Sequence, residues 1–168
     1  MHLALTDMFN ARWSDEIHEE WIRNLLNKRP DLTREQLNQT KELMDAHVRE
    51  AKVENYEPLI STLPKLPDPL DAHVLAAAIK SNSDGIVTFN LKDFPAAILE
   101  NYHIEAIHPD DFVQHQIDLD PGRVCQAVKR HRTGLRNPPR NVDEYLSSLN
   151  KQSLPQTVQS LSKFSALI

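Results

Sequence analysis

The sequence contains little glycine and almost no cysteine for a chain of 168 residues. With three glycines it has no Gly-rich phosphate-binding loop, and neither a Walker motif nor a GxGxxG motif occurs. Cys125 is the single cysteine, which excludes an internal disulfide and fits a reducing compartment. No apolar run approaches the length of a membrane span. These absences predict a cytoplasmic protein that belongs to neither the Gly-rich nucleotide-binding enzymes nor the membrane proteins.

The composition also lacks a strong excess of either charge. Apolar residues make up 40% of the chain, charged residues make up 26%, and the net charge is −5. This balance is typical of a globular protein, and the length suits one domain with a small appendage. A slightly acidic chain carries no overall nucleic-acid signature, so any basic surface must be local.

The stretch between residues 66 and 94 carries the clearest structural signal. An alanine-rich helix is predicted over 72–79, followed by a strand over 85–89 that we expect to be buried on both faces. A helix and a buried strand in this order favour a parallel α/β sheet, in which ligands bind beyond the carboxyl ends of the strands. Asn90 and Asp93 come just after the strand, and Asp71 lies in the first turn of the helix. We therefore expect these acids at one edge of the sheet.

The region before this stretch predicts two helices and a strand. Ser14 is a suitable N-cap for a helix over 15–28, and Thr33 with Gln36 forms a capping-box pattern that opens a helix ending near residue 47. A strand is predicted over 52–57. The first helix places three apolar residues on one predicted face, which are Ile17, Trp21 and Leu25. Glu20 lies one position from this face.

The region after residue 104 predicts a further strand over 104–107 and then helices. Asp110 is expected to cap a helix over 111–117, and the part from 118 to 168 is predicted to be a small helical extension. Its first helix is basic, with no acid between 122 and 142. The cations of this run are Arg123, Lys129, Arg130, Arg132, Arg136 and Arg140. Binding of RNA or a partner and an ordinary solvated helix face remain equally acceptable interpretations.

Glu20, Asp71 and Asp93 are the candidate metal ligands. Carboxylates are hard oxygen ligands that select Mg²⁺ or Mn²⁺, and such ions promote phosphodiester cleavage. Each acid has an ordinary alternative role: Asp71 could cap a helix together with Asp68, Asp93 could be a loop acid, and Glu20 a solvated helix residue. The placement of all three acids at the ends of helices and strands favours a metal site over these separate ordinary roles.

Three motifs resemble those of a PIN domain, and in particular the VapC toxins of bacterial VapBC toxin–antitoxin systems. They are SDEIHEEW from residue 14, DPLDAHVLAAA from residue 68 and VTFNLKDF from residue 87. The resemblance covers about residues 1–115. LRNPPRNVDEYL in the tail resembles a C-terminal extension found on one branch of these toxins. This predicts a PIN-like domain over 1–117 and a helical extension over 118–168.

The resemblance implies a three-layer α/β fold, with a five-stranded parallel sheet flanked by helices. It also implies a metal-dependent endoribonuclease that uses Mg²⁺ or Mn²⁺. By position, Glu20, Asp71 and Asp93 match the family's acids, and Asn90 matches the polar residue of its TxN motif. The implied partners are an RNA substrate, a cognate antitoxin and further copies of the chain, in the cytoplasm.

One departure from the family concerns its first strand, which ends in an acidic metal ligand. The sequence shows neither that strand nor that acid, because Asp7 lies in a helical pattern. Three explanations stay open: a start further upstream, a sheet that closes up or borrows a strand, or a degenerate and inactive form. The alternative to a ribonuclease is therefore a truncated PIN fold that binds RNA or an antitoxin without cleaving.

Overall fold

The computed structural model describes residues 3–168, which divide into two compact units. One unit contains residues 10–86 and 90–106. The other contains residues 87–89 and 107–168 together with the beginning of the chain up to residue 9. The structure combines helices with a small parallel sheet, so the predicted α/β class is confirmed. No helix in the described part of the chain has the length and hydropathy needed to cross a bilayer.

The first-named unit contains both α-helices and strands. They are α1 (Asp15–Lys28), α2 (Arg34–His47), α3 (Glu57–Ile60), α4 (Ala72–Lys80), β1 (Gly85–Val87), α5 (Ala96–Leu99) and β2 (Glu105–Ile107), with the ends of both strands in the second unit. Short 3-10 turns cover Pro69–Asp71, Leu91–Asp93 and Glu100–Tyr102. The predicted caps of α1 and α2 are confirmed, since Ser14 accepts a hydrogen bond from the backbone of Ile17 and Thr33 forms a capping box with Gln36.

The predicted strands are shorter than the sequence indicates. β1 and β2 form a two-stranded parallel sheet, with the Glu105 N–H bonded to the Asp84 carbonyl. The strand predicted over 52–57 is wrong, because only Lys52 forms a bridge, to Trp13, and α3 begins at residue 57. Burial of β1 on both faces is also wrong, because the side chain of Val87 is 47% exposed. Residues 3–168 thus contain less sheet than the five strands that the resemblance implies.

Residues of α4 and β1 pack together in an apolar core of this unit. Leu75 and Ile86 are buried together with Phe94, Leu99 and Ile104. Small side chains let helix and sheet approach closely, and Ala76 and Ala77 of α4 pack on the other side against Val53 and Tyr56. Burial of this alanine-rich helix fixes the position of its N-terminus, which Asp71 directly precedes.

The fully buried residues of α1 lie one position from the apolar face that the sequence indicates. Ile22 and His18 are fully buried, whereas Ile17 and Trp21 are half-buried and Leu25 is exposed. The buried imidazole is acceptable because every polar atom of its ring has a partner, as described below. The spacing of apolar residues alone cannot predict the burial of a histidine whose ring nitrogens form hydrogen bonds inside the protein.

The second unit is built mainly from helices. They are α6 (Pro109–Leu119), α7 (Pro121–Gly134), α8 (Val142–Asn150) and α9 (Pro155–Ser162), with a 3-10 turn at Ala4–Thr6. α9 packs against α6 and α8, and Leu161 and Val124 lie at the centre of the apolar core. α8 begins at a local capping-box pattern in the sequence, in which Asn141 and Glu144 cap each other's backbone N–H groups.

The predicted role of Asp110 is wrong, and the structure gives it a different one. His108 is the N-cap residue of α6, and Asp110 lies inside that helix, 2% exposed. Its carboxylate accepts hydrogen bonds from the backbone N–H groups of Gln156 and Thr157, at 2.9 and 2.8 Å. Because these are unpaired first-turn donors of α9, Asp110 caps a helix that starts 45 residues later.

Candidate functional site

The turn before α4 separates two aspartates that the sequence could not distinguish. The carboxylate of Asp68 accepts a hydrogen bond from the Leu70 N–H at 2.9 Å and caps the 3-10 turn. Asp71 makes no capping hydrogen bond with its side chain. The capping role therefore belongs to Asp68, and the carboxyl group of Asp71 is available for other interactions.

Asp93 lies in the 3-10 turn that follows β1, and Asn90 precedes that turn. The side-chain amide of Asn90 donates a hydrogen bond to the carboxylate of Asp93. Burial raises the pKa of Asp71 to about 6, and the negative charges of Asp93, Glu20 and Asp68, with a hydrogen bond to Asp93, act in the same direction. The structure therefore brings Asp71, Asp93 and Asn90 together.

Glu20 reaches this pair through its charge, while its carboxylate lies beside a histidine. His73, in the first turn of α4, has its Nε2 atom 3.6 Å from Glu20 and its Nδ1 atom 4.0 Å from Glu16. The hydroxyl of Tyr56 donates to Glu16 at 3.0 Å. Sequence reasoning placed His73 near Asp71 but did not identify its contact with Glu20, and it did not identify Glu16 or Tyr56 as neighbours of the site. The four-residue spacing of Glu16 and Glu20, which places them on one helix face, is the signal that was available.

A buried polar network fixes α1, the helix that carries Glu20. Trp21 donates its indole N–H to Nδ1 of His18 at 2.9 Å, so Nδ1 must be the unprotonated acceptor. Nε2 is therefore the protonated ring nitrogen and donates a hydrogen bond to the Asp45 carboxylate at 3.0 Å. The indole N–H of Trp13 donates a hydrogen bond to the same carboxylate oxygen at 2.7 Å. Burial would raise the pKa of Asp45, but these two hydrogen bonds outweigh it and lower the pKa. The network connects α1 firmly to α2.

The donor set of the site fits a hard divalent cation in its chemistry. Asp71 and Asp93 supply carboxylate oxygens at one place, and burial together with the charges of the neighbouring acids raises the pKa of Asp71. Within residues 3–168, no group of three His, Cys, Asp or Glu side chains is already arranged to hold a metal ion. The structure thus offers a convergent pair of acids with Glu20 acting on it electrostatically.

Comparisons with known proteins agree with the motifs in the sequence. The family model described as "PIN domain" matches residues 1–92, and the model described as "VapC50 C-terminal domain" matches residues 109–163. The first match contains Glu20, Asp71 and Asn90 and ends one residue before Asp93.

A curated relative from Mycobacterium tuberculosis carries the name "Putative ribonuclease VapC50". It is 40% identical over 86 residues, which are 51% of this chain and 50% of the relative. The matched part thus spans about half the length of that protein. No solved structure matches the chain. The family model covers more than half of the 168 residues and confirms the predicted resemblance, so the chain belongs to the PIN-domain family.

Proposed function

We propose that the chain is a metal-dependent endoribonuclease and the toxin component of a type II toxin–antitoxin system. The observation that carries the proposal is the convergence of acids at the start of α4, where burial and neighbouring charges raise the pKa of Asp71 to about 6. A strongly perturbed group among like charges is typical of a functional site. The membership of the PIN family and the similarity to a protein named as a ribonuclease support the same activity.

In this proposal Asp71 and Asp93, with Glu20, bind Mg²⁺ or Mn²⁺. A bound ion of this kind supplies polarisation of the phosphate and a water of lowered pKa. Asn90 holds the carboxylate of Asp93 in a fixed orientation through its side-chain amide. His73 stands beside Glu20 and limits the directions in which that side chain can extend.

Further parts of the proposal concern partners and location. An RNA is the substrate, a cognate antitoxin protein is the inhibitor, and the chain assembles with further copies of itself in the cytoplasm. The predicted boundary between 1–117 and 118–168 stays a prediction. Limited proteolysis would test it, since cleavage between α6 and α7 that leaves two folded fragments would support the boundary and cleavage elsewhere would oppose it.

The test of the activity compares three forms of the chain. Asp93→Asn removes a charge at nearly constant volume, so we expect it to abolish RNA cleavage in Mn²⁺ and growth arrest on expression while circular dichroism stays unchanged. Asp118→Asn, at an exposed position of α6, is the matched control and should cleave like the parent. Equal cleavage by the parent and by Asp93→Asn would contradict the assignment.

A second candidate function is binding without cleavage. It is favoured by one observation, that the described residues hold no three-ligand group ready for a metal. Such a protein would bind RNA or an antitoxin with the same affinity in EDTA and in Mn²⁺, and would not cleave. Measured cleavage by the parent that Asp93→Asn removes would exclude this candidate.

A further inference from the structure

The residues from 122 to 142, here called the basic segment, stand out from the rest of the chain by charge. They contain six of the 19 Lys and Arg residues and no acid, although the whole chain has a net charge of −5. α7 supplies most of the segment, and a loop over 135–141 supplies the remainder. A local concentration of cations in an acidic protein produces a positive surface only where the side chains face solvent.

The structure separates five of these cations into two sets, and the sixth, Arg140, is half-buried. Arg132 is half-buried and donates to the carbonyl groups of Arg140 at 3.0 Å and Ile168 at 3.3 Å, so it stabilises the packing of its own unit. Arg123 lies 3.3 Å from the Asp120 carboxylate and donates to the carbonyl of Thr6. Both arginines are therefore occupied by internal contacts.

Three other cations of the basic segment are exposed. They are Lys129, Arg130 and Arg136. None of the ion pairs formed between residues 3 and 168 includes any of the three. Three uncompensated cations within eight residues repel one another, and a polyanion would relieve that repulsion.

The neighbouring side chains indicate which kind of polyanion fits. Gln126 and Thr133 lie on the exposed side of α7, and no large apolar residue of the basic segment is exposed. Protein interfaces usually have apolar or aromatic anchors at their centre, whereas nucleic-acid interfaces are polar and strongly positive. The segment also contains no Phe, Tyr or Trp on which a base could stack. Both features favour contact with phosphates alone.

We infer that Lys129, Arg130 and Arg136 form a binding site for the phosphate backbone of a nucleic acid, which holds the RNA substrate without reading its sequence. The inference rests on the proposed function for the identity of that nucleic acid as RNA. The site assigns a binding role to the C-terminal part of the chain, which lies apart in sequence from Glu20, Asp71 and Asp93. Phosphate contact alone does not distinguish RNA from DNA, so both are bound.

The experiment compares two triple variants that change the net charge equally. Lys129→Gln, Arg130→Gln and Arg136→Gln remove the proposed contacts. Three exposed lysines elsewhere provide the control, as Lys80→Gln, Lys151→Gln and Lys163→Gln. Fluorescence anisotropy measures binding of a single-stranded RNA of about 20 nucleotides, and of DNA of equal length, at several salt concentrations in EDTA.

We expect the basic-segment variant to bind RNA roughly 100-fold more weakly at 0.1 M salt, with a salt slope smaller by about 2, because each lost phosphate contact contributes about 0.7 to the slope. The control variant should keep the slope of the parent. DNA should be bound within a few-fold of RNA. An unchanged slope in the basic-segment variant, or no binding of either nucleic acid by the parent, overturns the inference.

Cleavage assays keep this inference separate from the proposed activity. The basic-segment variant should raise KM for RNA and leave kcat unchanged, whereas Asp93→Asn should abolish cleavage and leave the salt slope unchanged. A parent that binds RNA with the expected slope but does not cleave it would contradict the nuclease proposal alone.

Discussion

Asp71, which is half-buried, and Asp110, which is buried, are aspartates in separate units, and their environments have opposite effects on the pKa of the carboxyl group. Asp71 lies among other acids, and burial together with their charges raises its pKa to about 6. At Asp110 burial also acts to raise the pKa, but hydrogen bonds from the backbone of Thr157 and Gln156 outweigh it and lower the pKa. One environment disfavours the charge and the other stabilises it.

The difference separates a carboxylate that stabilises the fold from the one that we propose as a metal ligand. Asp110 receives two N–H donors of a helix start, so its charge contributes to stability. Burial and the neighbouring acids disfavour the ionised form of Asp71, and a cation bound at the proposed site would compensate for this. The contrast leads to predictions of opposite sign for the same type of substitution.

The largest effect is expected for Asp110→Asn. The substitution removes the charge that binds two helix-start N–H groups in a buried place, so the free energy of unfolding should fall by about 2–3 kcal/mol. Urea denaturation followed by circular dichroism measures it. Asp118→Asn, exposed on the same helix, is the control and should change stability by less than about 0.5 kcal/mol. A loss at residue 110 no larger than that of the control would show that the cap contributes little.

The opposite sign is expected for Asp71→Asn. Removing a charge that burial and three acids disfavour should raise the free energy of unfolding at pH 7 by about 1–2 kcal/mol, after allowance for solvent screening. The same denaturation experiment, carried out in EDTA, measures the change. A destabilised variant would mean that Asp71 is structural, and the contrast with Asp110 would disappear.

The smallest effect concerns pH and Asp15, at the start of α1. Hydrogen bonds from Lys41 and Lys52 lower the pKa of Asp15 to about 2, and the side chain is 53% exposed. Because the folded pKa lies below the unfolded one, the contribution is complete above about pH 4 and is lost as pH falls towards 2. The exposure limits it to about 0.5–1 kcal/mol.

The stability difference between the parent and Asp15→Asn checks this prediction. We expect the parent to be more stable at pH 5 and the difference to disappear near pH 2, measured by thermal or urea unfolding at each pH. Glu54→Gln, which changes an exposed acid near the same lysine, is the control. A difference that is independent of pH would contradict the ion-pair explanation.

Local signals in the sequence predicted most of the helices. Ser14, Thr33 with Gln36, and Asn141 with Glu144 form caps from residues three apart, and each cap is present in the structure. Features that depend on distant residues were not predictable in this way. The Asp110 carboxylate accepts hydrogen bonds from the N–H groups of Gln156 and Thr157, which lie 46 and 47 residues later in the chain.

The candidate site shows the same division between local features, which the sequence predicts, and distant contacts, which need the structure. Glu20, Asp71, Asp93 and Asn90 were identified from motifs and from their places at the ends of elements. The choice between Asp68 and Asp71 as the cap needed the structure, because both precede the same helix. The contact of His73 with Glu20 joins positions that are 53 residues apart, so no local pattern could indicate it.

Titration of Mn²⁺ by isothermal calorimetry tests the central claim, that the acids around Asp71 form a site for a divalent cation. Measurements on the parent, on Asp71→Asn and on the control Asp118→Asn give the three affinities. We predict that the parent and the control bind Mn²⁺ equally and that Asp71→Asn binds it at least about 10-fold more weakly, because a hard cation depends on the charge of its oxygen ligands. Equal binding by all three forms, or no binding by the parent, would contradict the claim.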